Sequence, residues 1–286
     1  MGHPCIFLRT RIKIYRIQIA LLNCMALLLL LAPAAVAQQV ATPAAAGASA
    51  ADLAKQTQNP VANLISMPFQ ANWDFGLGDR EAIGTVLNFQ PVMPFSLNKS
   101  TSLILRAIVP MLSQPTPDGT RINGLGDVQM TAYFSPKKTG KIIWGVGPAF
   151  LLPVATNQSF GSEKFGLGPS FVVLTQPGKF TVGLLFNSIW SVSGAKDRND
   201  VSTSYWQPFL NYNLGNGLAI GVSSEISANW KADEKWSSPL LFSISKVALL
   251  GHRPVNFAWS AGPMLTSPDG GAEWRFRFQA NFLYPR

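Results

Sequence analysis

From Met67 onward, apolar and polar residues alternate with a period of two. In the stretch from Leu218 to Trp230, the residues Leu218, Ile220, Val222, Ile226 and Trp230 fall on one face, while Gly221, Ser223, Glu225, Ser227 and Asn229 fall on the other. A helix, with its period of 3.6, would not sort them so cleanly. Between Phe180 and Val192, Phe180, Val182, Leu184, Phe186, Trp190 and Val192 oppose Thr181, Gly183, Asn187 and Ser191. The last stretch repeats the pattern: Trp274, Phe276, Phe278, Phe282 and Tyr284 alternate with Arg275, Arg277, Gln279 and Asn281. Segments of this kind predict about twelve strands, near Phe69, Val86, Leu105, Met130, Val146, Phe171, Leu184, Phe209, Val222, Ile244, Trp259 and Phe278.

The connections divide into two sets. Leu97 to Ser100, Ser135 to Gly140, Gln176 to Lys179, Leu214 to Gly217 and Gly251 to Pro254 are short. Between them fall longer polar stretches, Gln114 to Gly124, Ala155 to Gly166, Gly194 to Ser204, Asn229 to Ser237 and Thr266 to Ala272; the first connection, around Gly78 to Glu81, is the exception. Short turns alternating with longer loops, on an even number of strands with one apolar face each, predict an all-β fold: a transmembrane antiparallel up-and-down β-barrel with both termini on the short-turn side. Trp73, Trp144, Trp190, Trp230, Trp236 and Tyr284 lie near strand ends, where interfacial girdles form.

Composition supports a chain that meets lipid. It is 47% hydrophobic and only 13% charged, against about 25% charged in an ordinary soluble domain. After Leu31 no apolar run reaches the roughly 18 residues a spanning helix needs, so a closed barrel is the membrane structure that satisfies every backbone polar group. At the N-terminus, Arg9, Arg11, Lys13 and Arg16 precede the apolar run Ile17 to Leu31, which ends at Ala35-Val36-Ala37. This order predicts a signal peptide over 1–37, cleaved before Gln38. A flexible leader over 38–66 follows, with a short helix from Ser49 to Gln58 capped by Ser49 and Asp52, and the barrel over 67–286. Both cysteines, Cys5 and Cys24, fall in the removed segment, which leaves the mature chain without thiol chemistry or disulfides. Removing the four basic residues of the signal takes the formal charge from +9 to 9 − 4 = +5, a bias too mild to point to nucleic acid.

Several motifs resemble a known family. Asn59-Pro60-Val61-Ala62-Asn63-Leu64-Ile65-Ser66-Met67-Pro68-Phe69-Gln70, Asn72 to Gly76, Gly124 to Val128, Trp144 to Pro148, Gly166 to Ser170 and the ending Asn281 to Arg286 resemble a family of uncharacterised outer-membrane proteins. Its members are labelled transporters or grouped with barrels of phenol-degradation meta pathways. The resemblance covers essentially the whole mature chain and implies a barrel that passes an aromatic or amphipathic solute. The ending departs from a terminal aromatic, since Pro285-Arg286 follow Tyr284.

The search for chemistry excludes more than it finds. The mature chain holds one histidine, His252, in a short turn at the end opposite the long loops, where a barrel hydrolase would not place its base. With no thiols and one histidine, neither a metal site nor a cofactor is expected. The inward face is where ionisable groups gather: Asp74, Arg106, Asp127, Glu225, Arg275 and Arg277, among Gln129, Asn187, Gln279 and Asn281. Charged groups at membrane depth must line water or pair with one another. The expected function is therefore passage of a small solute through a narrow polar lumen in the cell outer membrane. Expected partners are outer-membrane lipid, lipopolysaccharide and the barrel-assembly machinery. The alternative is a closed barrel, its interior filled by ion pairs, that binds lipopolysaccharide or a partner through its outer loops. On the channel reading the leader from Ser49 to Ile65, tethered to the first strand, is expected to occlude part of the periplasmic mouth.

Overall fold

The structure is a computed structural model that describes residues 49–138 and 140–285; the expected signal peptide and the leader up to residue 48 lie outside the described residues. The chain forms a closed antiparallel barrel of twelve strands with one short helix. The helix α1 (Ala50–Thr57) precedes β1 (Ile65–Leu77). Next come β2 (Ala82–Phe89 continued by Val92–Ser96), β3 (Thr101–Pro115) and β4 (Arg121–Leu125 continued by Val128–Pro136). The wall goes on through β5 (Ile142–Leu152), β6 (Lys164–Thr175), β7 (Phe180–Gly194) and β8 (Ser202–Gly215). It ends with β9 (Leu218–Ser224 continued by Ile226–Asn229), β10 (Trp236–Leu250), β11 (Arg253–Thr266) and β12 (Trp274–Tyr284). Each strand pairs with its sequence neighbours, and β12 pairs with β1 from Ile65↔Tyr284 to Phe75↔Trp274, which closes the wall.

Polarity is inverted relative to a water-soluble protein. Large apolar side chains on the outer face are exposed, as at Val192 (59%), Phe242 (58%) and Ile244 (48%). Polar ones on the inner face are buried, as at Thr181 (0%), Asn281 (4%) and Arg277 (7%). Exposed apolar surface of this extent would be unstable against water and fits the hydrocarbon interior of a membrane. Aromatic rings follow the same outer face. Phe171, Phe186, Trp206 and Trp236 pack at a tilt in sequence from β6 to β10, with centroids 5.1 to 5.7 Å apart. At the short-turn end Phe180 packs on Tyr212, and the Arg253 guanidinium sits 4.4 Å over the Tyr284 ring. Among the described residues no helix is long and apolar enough to cross a membrane.

The three strand interruptions differ in kind. β2 keeps its register with β3 across Gln90-Pro91, because Phe89 faces Val109 and Val92 faces Arg106; Pro91 simply has no N–H to give. β9 likewise keeps register with β8 across Glu225. β4 carries a true bulge, since its pairing with β3 shifts by one residue at Gly126-Asp127, between Met111↔Leu125 and Ile108↔Gln129. Prolines are frequent within strands, including Pro68, Pro94, Pro110, Pro208, Pro239 and Pro263, and Pro148 and Pro169 face each other across β5 and β6. Strand interiors ordinarily exclude proline because it removes a ladder hydrogen bond. The hairpin between β3 and β4 is tighter than the sequence suggests: both strands extend outward, so only Thr116 to Thr120 remain outside them.

The leader is packed rather than loose from Ser49 onward. Ser49 Oγ accepts from Asp52 N at 3.1 Å while Ser49 N donates to Asp52 Oδ2 at 3.2 Å, a reciprocal cap that fixes the first turn. The hydrogen bonds from Lys55 Nζ to the Gly178 carbonyl (2.6 Å) and from Gln176 Nε2 to the Lys55 carbonyl (2.9 Å) tie α1 to the β6–β7 turn. Gln58 and Asn213 exchange amide hydrogen bonds. Leu53, Ala54, Ala62 and Leu64 bury against the inward Val247 and Leu283. Val61 goes further, into a cluster of Ile104, Tyr133, Val172, Leu174 and Leu185. Gly145 makes room for it, because a Cβ there would stand 2.9 Å from Val61 Cγ1. The leader thus crosses the short-turn mouth. Gly145→Val is expected to release it while leaving the barrel closed, with trypsin cutting after Lys55 at least about tenfold faster; an unchanged rate would show that the leader docks without this contact.

Candidate functional site

Barrel closure brings polar and charged residues of β1 and β12 into direct register, Asn72 opposite Arg277 and Asp74 opposite Arg275, all on the inner face. Arg275 grips Asp74 with two hydrogen bonds, Nε to Oδ1 at 2.6 Å and Nη2 to Oδ2 at 2.9 Å. Arg277 donates from Nε to Asn72 Oδ1 at 2.7 Å and turns its other edge inward. There it makes a second bidentate pair, Nη1 to Glu225 Oε1 (2.7 Å) and Nη2 to Glu225 Oε2 (2.6 Å). Arg275 Nη1 adds a longer contact to Glu225 Oε2 at 3.4 Å. Glu225 is on β9, with β10 and β11 between it and β12 in the wall. The chain Asp74–Arg275–Glu225–Arg277 therefore bridges strands three apart in the wall through the lumen and is neutral overall. Planar guanidinium forks suit bidentate pairing of this kind better than an ammonium would.

The other expected lumen residues divide. Arg106 on β3 faces inward and donates from Nη2 to Gln90 Oε1 at 2.9 Å. Gln129 and Asn187 line a chamber of about 160 Å³ at the waist, together with Arg106 and Glu225. Gln279 and Asn281 line a second chamber of about 250 Å³ toward the leader, floored by residues from Gln56 to Leu64. Arg106, Gln70, Gln90 and Gln207 belong to both, so the two chambers meet at these side chains. Asp127 stands apart from both. Its carboxylate accepts from Ala155 N (3.2 Å), Ser162 N (2.7 Å) and Ser162 Oγ (2.6 Å), so it holds the long β5–β6 loop rather than the chambers.

That loop folds back over the bulge at the far end: a Cβ at Gly124 would meet Thr156 and Phe160, and one at Gly126 would meet Leu112, Pro110 and the Phe160 carbonyl. Arg198, from the β7–β8 loop, donates to the carbonyls of Gln158 (2.8 Å) and Gly161 (2.5 Å). Lys164 pairs with Asp200 at 3.3 Å, and its hydrogen bond, with that of Ser191, holds the Asp200 carboxyl below its usual range. Sequence reasoning missed the chamber residues Gln70, Gln90, Tyr133, Tyr205 and Gln207. The alternation from Gln129 to Tyr133 and from Tyr205 to Gln207 could have found them, because each shares parity with a polar inward neighbour.

His252 is exposed in the β10–β11 turn and lines neither chamber. Among the described residues no group of three or more His, Cys, Asp or Glu side chains is placed to hold a metal ion. What the interior offers is hydration and hydrogen bonding: two chambers large enough for several waters, lined by amides, hydroxyls and guanidinium groups.

Fold and interior together define the class of membrane-type up-and-down β-barrels. The chain is similar in structure to an outer membrane channel from Pseudomonas putida F1, with a TM-score of 0.59 over 77% of this chain and 94% of that one. At 12% sequence identity the likeness is one of fold. The NanC porin aligns with 77% of this chain and 100% of its own length, at 11% identity and a TM-score of 0.48. No protein-family profile matches the chain, and no curated protein matches it in sequence.

The network makes a measurable demand. Glu225→Gln leaves two guanidinium groups facing one neutral amide, and breaking a buried pair from one side costs about 3–5 kcal/mol, less here to the extent that lumen water reaches the site. The expected result is a clearly lowered Tm of the folded, detergent-resistant form, partly restored in Glu225→Gln with Arg277→Gln. Equal stability of wild type and Glu225→Gln would mean that water already solvates the arginines.

Proposed function

We propose that this protein is an outer-membrane channel that passes a small polar solute through its lumen. The observation that supports this best is the inverted polarity: a polar, water-sized interior runs inside a wall whose outer face is apolar. On this reading the chain is exported with cleavage near Ala37, is inserted by the barrel-assembly machinery, and is surrounded by lipid and lipopolysaccharide. The short turns and the leader face the periplasm and the longer loops face outward, as turn and loop lengths in such barrels indicate, and the even strand number puts both chain ends on the same side. It needs no cofactor and performs no covalent chemistry. The aromatic preference implied by the family resemblance draws little support from the lining, whose aromatic members are Tyr133, Tyr205 and Phe209 among amides and hydroxyls. A narrow passage suits a barrel of twelve strands, between filled eight-stranded barrels and open sixteen-stranded porins.

A closed barrel acting through its loops is favoured by two observations, the ion pairs that fill part of the lumen and Val61 of the leader wedged against the inner wall. Planar-bilayer recording of the mature chain separates the readings. A channel gives discrete current steps, and removal of the leader through Asn59 enlarges them severalfold. Arg275→Ala with Arg277→Ala alters ion selectivity. Silence in both the intact and the shortened chain would refute the channel and leave the loop-binding barrel.

A further inference from the structure

Most lumen charge is internally cancelled. Asp74 and Glu225 balance Arg275 and Arg277, and Lys164 near the far end pairs with Asp200. Arg106 is different. Among the described residues no carboxylate pairs with it, and its described side-chain hydrogen bond, to Gln90, uses one of the five N–H groups a guanidinium carries. It is partly buried, and it stands where the two chambers meet. Glu225 lines the same waist chamber but is already held by Arg275 and Arg277, so Asp74, Glu225, Arg106, Arg275 and Arg277 together carry one excess positive charge, which favours an anion in the adjoining space.

Independent groups in the same space define that anion further. In the leader-side chamber, Asn256 and Asn281 face each other across β11 and β12. Both are more than nine-tenths buried, and neither amide oxygen has a donor. Buried acceptors left open are rare in folded proteins and call for a donor from water or ligand. A guanidinium fork on one side and two side-chain amides with unfilled acceptors on the other match a solute with opposite needs at its two ends.

We infer that the lumen binds small carboxylates bearing a hydroxyl or ammonium group, the carboxylate on Arg106 and the donor group toward Asn256 and Asn281. The inference deepens the channel reading and rests on it for transport, but binding can be tested without conduction. Calorimetric titration of the detergent-solubilised mature protein with sodium lactate, glycine, sodium propionate and glycerol examines the site directly. Lactate or glycine should bind more tightly than propionate, and glycerol should not bind. Arg106→Gln should weaken carboxylate binding at least about tenfold, while Arg106→Lys, which keeps the charge, retains part of it. Asn256→Leu with Asn281→Leu should remove the preference over propionate and leave propionate itself unchanged. Unheated electrophoretic mobility confirms that each variant is a closed barrel.

Reversal potentials in a salt gradient give the second readout, anion preference in wild type that falls in Arg106→Gln. Carboxylate binding without current sinks the channel and keeps the site. Current with no carboxylate binding and no selectivity change in Arg106→Gln overturns the site and keeps the channel. Equal binding of propionate and lactate overturns the assignment of Asn256 and Asn281.

Discussion

The structure depends on one seam. Strands β1 and β12, at opposite ends of the described chain, must pair along their whole length, because an open edge in a membrane leaves rows of N–H and C=O groups with no water to satisfy them. Backbone bonds alone do not choose the register of that pairing. The side chains do, since Asp74 meets Arg275 and Asn72 meets Arg277 only in the observed alignment. A slip by one residue would turn both arginines toward lipid, where each costs about 2–4 kcal/mol near the midplane. The ion pairs of the lumen are thus also the register marks of closure, and the carboxylate of Glu225 ties that seam to a strand three positions along the wall.

The two ends of the lumen are managed by different means. At the short-turn end a covalently attached leader fills the mouth with apolar contacts, from Leu53 on Val247 and Leu283 to Val61 against Tyr133. At the far end a loop is held by polar groups, Asp127 from the wall and Arg198 from the neighbouring loop. Between them, hydrogen-bonding side chains leave open space rather than pack it. An interior that were only structural filling would leave less of its cation and acceptor capacity uncommitted than Arg106, Asn256 and Asn281 do.

Much of this was legible in sequence because the code involved is local. Period-two alternation placed all twelve strands, and parity alone put Asp74, Arg106, Glu225, Arg275 and Arg277 inside. The reciprocal cap between Ser49 and Asp52 is a three-residue signal and was equally readable. Partnership across about two hundred residues was not, since nothing near Asp74 announces Arg275. The bulge at Gly126-Asp127 defeated the reading for a different reason: one extra residue breaks the parity rule, and Asp127 serves a loop whose path no alternation records. The insertion of Val61 was hidden because its receptor, a bare glycine on β5, looks in sequence like any other strand glycine.

The prolines within the strands carry a cost in the finished wall, where each removes a ladder hydrogen bond and the facing pair Pro148 and Pro169 removes two. Their benefit belongs to an earlier moment in the life of the molecule. Before it meets a membrane, a chain of this composition is a string of alternating apolar segments in water, each one a template for cross-β stacking with its neighbours. Proline is the residue such stacking tolerates least. A wall slightly under-bonded in its final state is, for the unfolded chain, a built-in brake on aggregation.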